Sequence, residues 1–283
     1  MSISFILVTF LFQLAVGMMV TVSFLPPKLV DPRFFKSISF WSFLFVFSGL
    51  ILQHYSVFQL PANFAVEEGS RELLARAGRI LFFFFGAVTF AQWFHLRFFN
   101  GNASRQGLVF ISSVGLLAVL VDAFLFRPNI SPLFIQNILQ PLQFVSASLL
   151  LGGFLSGMIF GHWYLVNVDM PKRLLVTMAW ILIGVLALRI LSVGISLIGF
   201  AQFVYPETRF LTNLISFQGH GIFFWQRIFV GLLIPAIVVG MIWSTARIGS
   251  NQSATGIMYV AIAFVFIGEL AARYLFLLSG IPL

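Results

Sequence analysis

Cysteine is absent from all 283 residues, and charge is scarce, with Asp, Glu, Lys and Arg together making up 8%. The first absence removes disulfides, thiolate-bound metal, iron–sulfur clusters and c-type haem attachment from this chain. The second removes a soluble fold: a chain that is 60% hydrophobic, with mean hydropathy +1.04, has too few polar side chains to cover a surface facing water. Gly-rich phosphate loops and HExxH are also missing, as are low-complexity segments and any clear internal repeat. No loop is long enough for a separate soluble domain. The net charge of +8 is therefore no nucleic-acid footprint; what matters is which loops carry the cations.

The apolar residues are gathered into runs of about 20, the length that crosses a bilayer. There are about eight: Ile3 to Leu25, Ile38 to Phe58, Ile80 to Phe99, Gly107 to Phe126, Leu142 to Val166, Arg173 to Ala201, Gly221 to Ala246 and Gly256 to Ser279. This predicts an all-α, polytopic integral membrane helix bundle, one transmembrane domain over residues 1–283. The first run follows only Met-Ser, with no basic segment before it and no cleavage pattern after it, and reads as a retained helix.

With alternating spans, one side receives Lys28, Arg33, Lys36, Arg97, Arg105, Lys172, Arg173 and Arg247 against Asp31 and Asp169. The other receives Arg71, Arg76, Arg79, Arg127 and Arg209 against Glu67, Glu68, Glu72 and Glu207. All three lysines fall on the first side, so the positive-inside rule puts that side in the cytoplasm of a bacterial-type inner membrane and both termini outside. The stretch PANFAVEEGSRELLARAGR carries Leu73, Leu74 and Ala77 at helical spacing. It reads either as an amphipathic helix on the outer interface or as a charge run leading into the third span.

An ionisable side chain within a span is costly enough to mark a functional site by default. Arg189, Arg227, Glu269 and Arg273 all lie within the last three spans. Glu269 and Arg273, four residues apart, share a helix face and can neutralise each other. Pro235, eight residues after Arg227, leaves the Gly231 carbonyl without its helical donor. His220, at the mouth of the seventh span, points the same way as Arg227, two turns on. Sorted by depth, His54, Asp122, His220, Arg227 and Arg273 fall toward the outer surface and Arg189 and Glu269 near the middle. Gln92 and His95 share a face near the cytoplasmic end of the third span, and His162 lies at similar depth on the fifth. His162 follows Gly153, Gly157 and Gly161, a strip against which another helix, or a flat ligand such as haem or quinone, can lie closely.

Three classes of function fit these residues. A quinone site, for ubiquinone or menaquinone, would use Arg227 and Arg273 to fix the quinone oxygens. Arg189 and Asp122 would belong to the same polar seam, and Glu269, His220 or His54 would take a proton, since oxidising a quinol releases two electrons and two protons. Two b-type haems would use His54 with His220 and His95 with His162 as axial pairs, with arginines on the propionates; each histidine is within about one turn of a helix end, shallow for a buried haem. A transporter or structural scaffold is the third class. Transport favours broken helices and symmetric halves, and here only Pro235 interrupts a span and no half matches the other.

The segments RIFVGLLIP, Arg227 to Pro235, and IGELAARYLFLLSG, Ile267 to Gly280, resemble the closing helices of the NrfD-like family. These are membrane-anchor subunits of polysulfide reductase, DMSO reductase and related respiratory complexes, with an Arg/Gly/Pro helix followed by a Gly-(Gly or Glu)-x-x-x-Arg-Tyr helix. The resemblance covers about a fifth of the 283 residues. It implies eight helices with both termini outside, and partner subunits in the membrane complex that carry iron–sulfur clusters or haems. It places Glu269 and Arg273 at the family's C-terminal positions and Arg227 and Pro235 on the helix before.

Overall fold

A computed structural model describes residues 3–55, 68–99, 101–127, 133–167, 170–171, 173–204, 215–216 and 221–283. Within these lie eight helices long and apolar enough to cross a membrane, and no strand. They are α1 (Ile3–Ser23), α2 (Pro32–Tyr55), α3 (Glu68–Phe98), α4 (Arg105–Leu125), α5 (Leu133–Val166), α6 (Arg173–Gly199), α7 (Gly221–Arg247) and α8 (Asn251–Ser279). The predicted all-α membrane bundle is what the chain forms.

The ends obey local chemistry. The helix α1 stops just ahead of Pro26-Pro27, where no donor is available to continue it. Ser104 caps α4 by accepting from the Gly107 N–H at 3.0 Å. Gly280, at φ 71°, closes α8 in the left-handed region and donates to the Phe276 carbonyl at 2.8 Å. The charged stretch from Glu68 onward is the start of α3, continuous with the span rather than a separate interfacial helix; residues 61–67 lie outside the described ones.

Each half of the chain closes on itself. In the first, α1 packs on α2, α2 on α3, α3 on α4 and α4 back on α1; in the second, α5, α6, α7 and α8 repeat the same circuit. The halves join along α1 and α5, flanked by α4 against α5 on one side and α8 against α1 on the other. Each flanking contact sets the last helix of one half on the first helix of the other. The pattern is doubled although the sequence shows no repeat, because packing needs apolar faces in the right places and not the same residues. The likeness of the halves is thus one of helix packing and not of sequence; Pro141, inside α5, is a second proline within a spanning helix beside Pro235, which corrects the expectation of a single interruption.

The helix α1, which carries no charge, lies deep in the bundle: nearly every side chain from Val8 to Val22 is buried, as an all-round apolar helix requires. Its closest crossing is with α5, where a Cβ on Gly17 would run into the Ser148 carbonyl and one on Gly152 into the Gly17 backbone. The strip of Gly153, Gly157 and Gly161 is filled by neighbouring helices. An added Cβ would meet Val185 at 3.3 Å, Leu182 at 3.2 Å and Thr255 at 2.9 Å respectively. By contrast α2 and α3 turn Phe40, Trp41, Phe47, Phe83 and Phe84 outward, a surface suited to lipid chains and not to water.

Candidate functional site

Glu269 is the hub of a buried cluster. Its Oε1 accepts from Arg189 Nε at 2.9 Å and faces Arg227 Nη2 at 2.8 Å. Its Oε2 accepts from Arg189 Nη2 at 3.2 Å and from Arg273 Nη1 at 3.1 Å. The Arg189 pairing is the two-pronged fork that suits guanidinium to carboxylate. Glu269 and Arg227 are 0% exposed, Arg189 2% and Arg273 7%, so the charges sit in a medium where each interaction is far stronger than in water.

A second layer of polar groups holds the arginines. Arg189 Nη1 donates to the Gln143 side-chain oxygen, to the Gln143 carbonyl at 3.1 Å and to Ser146 Oγ at 3.1 Å. Its Nη2 also reaches the main-chain oxygen of Leu283 at 2.9 Å. Gln143 Nε2 in turn donates to the Ser192 carbonyl at 2.6 Å and Ser196 Oγ at 2.8 Å, and Ser146 bonds Ser192 at 2.9 Å. Arg273 Nη2 donates to Gln13 Oε1. Thus α1, α5, α6, α7, α8 and the segment after α8 are tied through one carboxylate.

Two backbone features bring the cluster together. Midway, α7 loosens into a π-helical turn, Phe229–Leu233, in which Ile234 N–H reaches back to the Phe229 carbonyl, and Pro235 opens the α-helical part beyond. The wider turn absorbs the donor that Pro235 lacks. At its centre Gly231 lies on Gly268 of α8, where an added Cβ would come within 2.7 Å of the Gly268 Cα. That crossing sets Arg227, one turn before Gly231, beside Glu269, next to Gly268. Arg227 Nη2 pairs with Glu269 Oε1 at 2.8 Å, and Arg227 makes no other polar contact among the described residues.

The cluster borders a cavity of about 30 Å³, lined by Gln13, Gln143, Arg189, Glu269, Arg273 and Leu283 on its polar side and by Phe5, Phe144 and Phe276 on its apolar side. That is space for about two water-sized spheres. The space is smaller than a quinone ring; of the donors assigned to the quinone oxygens, Arg227 lies outside the lining and pairs with Glu269, and Arg273 pairs with Glu269 and Gln13. In this geometry Arg189, Arg227, Glu269 and Arg273 instead join the helices of the second half to one another and to α1.

The other predicted residues are dispersed. Asp122 is buried on α4 facing Gly78 of α3, and its carboxylate forms no hydrogen bond or ion pair among the described residues. His54 is exposed at the end of α2, edge-on to Tyr55. His162 is exposed and meets the Tyr259 hydroxyl at 3.3 Å, whereas His95 stacks on Phe99 beside Gly101. Each of these three histidines contacts a different neighbour, and none of those contacts is with another histidine. His220 lies outside the described residues.

Two larger pockets open near the loops that carry the lysines. One, of about 710 Å³, is lined by Lys28, Arg33, Lys36 and Arg97 around Asp31, which Asn167 and Arg33 hold at 3.0 and 3.3 Å. The other, of about 310 Å³, lies between the end of α3 and the start of α4. Gln92, His95, Asn102 and Ser104 supply its polar groups, and Val88, Leu96, Phe110 and Ile111 its apolar wall. Gln92 Nε2 is held by Ser39 Oγ at 3.0 Å, while Phe94, Phe99 and Phe110 around it are exposed on the apolar surface.

Gln143, Ser146, Ser192 and Ser196 belong to the cluster although nothing in the sequence singled them out. The signal was present for two of them, since Arg189, Ser192 and Ser196 at i, i+3 and i+7 line one helix face. Compared with protein-family models, curated proteins and solved structures, the chain matches none.

Proposed function

We propose that this chain is the membrane subunit of an electron-transfer complex, binding quinone or quinol in the pocket between α3 and α4 and exchanging electrons with a metal-bearing partner subunit. The observation that carries the proposal is the pocket itself. Its volume of about 310 Å³ reaches the lower bound for small-molecule sites, and it pairs an apolar wall with few convergent polar groups, as such sites do. His95 and Gln92 provide what the two quinone oxygens need, an imidazole able to exchange a proton and an amide able to hydrogen-bond. The exposed phenylalanines around it suit a ligand arriving from lipid.

A quinol gives up two electrons along with its protons, and a chain without cysteine builds no iron–sulfur cluster. In this reading the electrons pass to a metal centre on another subunit. The likeness of the last two helices to NrfD-like anchors agrees with that arrangement. The pocket opens toward the lysine-bearing side, which the positive-inside rule makes the cytoplasmic face of a bacterial-type inner membrane.

The test is quinone retention. Protein purified in mild detergent should carry quinone above the amount expected from its residual lipid and bind a short-chain quinone saturably. His95→Ala and Gln92→Leu should each weaken that binding at least tenfold. If the wild type binds no quinone saturably, or a phospholipid fills the pocket instead, the proposal fails.

A further inference from the structure

We propose that the arginine cluster holds a monatomic anion of the chloride type in the cavity lined by Arg189, Arg273, Gln13 and Gln143. The inference is independent of the quinone pocket and begins with charge. Arg189, Arg227 and Arg273 all pair with the single carboxylate of Glu269; three cations less one anion leaves two positive charges. Should the Leu283 oxygen that accepts from Arg189 belong to a terminal carboxylate, one positive charge still remains.

Among the described residues no other acidic side chain makes up the balance. Asp31 pairs with Arg33, Glu72 pairs with Arg76, and Asp122 faces α3. Arginine cannot shed its proton to escape the low-dielectric interior, as a lysine or histidine does, and an unpaired charge there is strongly destabilising.

The hydrogen-bond count points the same way. Among the described residues Arg273 Nε, on a side chain that lines the cavity, has no acceptor; Arg227, paired with Glu269 at 2.8 Å, lies outside the lining and adds charge rather than donors. Meanwhile the side-chain oxygens of Gln13 and Gln143 are already taken by Arg273 and Arg189. The cavity of about 30 Å³ is walled mainly by apolar groups, and the carboxylate that borders it, Glu269, already faces three arginines; a space of that size beside Arg189 and Arg273 suits one small anion. Water would satisfy an N–H but leave the charge, and a polyatomic ligand exceeds the space.

The experiment compares thermal unfolding of the purified full-length protein in sodium gluconate and sodium chloride at equal ionic strength, with bromide-soaked crystals for location. Saturable halide stabilisation is expected, raising Tm by about 5 °C, with an anomalous bromide peak in the cavity. Gln13→Glu puts a carboxylate where an amide oxygen already accepts from Arg273. It should reach the wild type's chloride-level Tm in gluconate and lose the halide response, whereas Arg97→Gln in the surface pocket should keep it. Equal wild-type stability in the two salts, an undiminished halide response in Gln13→Glu, or a cavity holding water and no bromide would each overturn the proposal. If Gln13→Glu does not fold, the wild-type titration and the bromide map decide.

Discussion

Glu269 is the least replaceable of the buried charges. At an effective dielectric of about 20, two unit charges some 3 Å apart attract by roughly 5 kcal/mol, and Glu269 makes three such pairings, within 3.1 Å. Glu269→Gln keeps the volume, removes all three and leaves like charges facing one another. It should cost about 3–5 kcal/mol, the range for breaking a buried pair, read as lower Tm and a smaller detergent-stable fraction. The arginines should separate in the same assay. Arg189→Met strips partners from Gln143, Ser146 and Leu283 and should be severe. Arg227→Met removes a cation whose one polar contact among the described residues is the 2.8 Å pair with Glu269, and leaves that carboxylate two arginine partners, so it should cost less than Arg189→Met. If the two arginine variants lose equal stability, hydrogen bonding is not what distinguishes them.

At the scale of helices, one glycine crossing sets the spacing on which the cluster depends. Gly231 meets Gly268 through backbone, with an added Cβ on Gly231 only 2.7 Å from the Gly268 Cα, and backbone does not move aside as a flexible side chain does. Gly268→Ala should destabilise by about 1–3 kcal/mol or more, as overpacking does. Gly240→Ala on the same helix α7, where nothing lies within 4 Å, should be neutral or slightly stabilising in the same thermal assay. These contacts also show where the sequence was readable. The eight spans follow from length and hydropathy, and the Glu269–Arg273 pair from its spacing. The meeting of Arg189 and Arg227 on the same carboxylate is tertiary, set by the Gly231–Gly268 contact and the π-helical turn. Ser146 and Ser192 were illegible for a different reason. A serine within a spanning helix ordinarily bonds its own backbone one turn back, as Ser148 does to Phe144 and Ser39 to Phe35, and the sequence does not say which one also reaches across to another helix.

For the whole molecule, the question that governs the proposed chemistry is which face of the bilayer the α3–α4 pocket opens to. The lysine-bearing loops and the pocket share one end of the bundle, so a single orientation measurement fixes where a quinone proton would be taken up or released. The absence of cysteine makes the protein its own background for site-specific labelling. Arg33 and Arg76 are suitable positions because their side chains are 66% and 64% exposed, on opposite ends by the span order. With the positive loops inside, a membrane-impermeant maleimide should label Arg76→Cys in intact cells and leave Arg33→Cys untouched until the membrane is opened. The reverse pattern would place Lys28, Lys36 and the pocket outside. Proton exchange at His95 would then belong to the opposite compartment, although the helix packing and the arginine cluster would be unchanged.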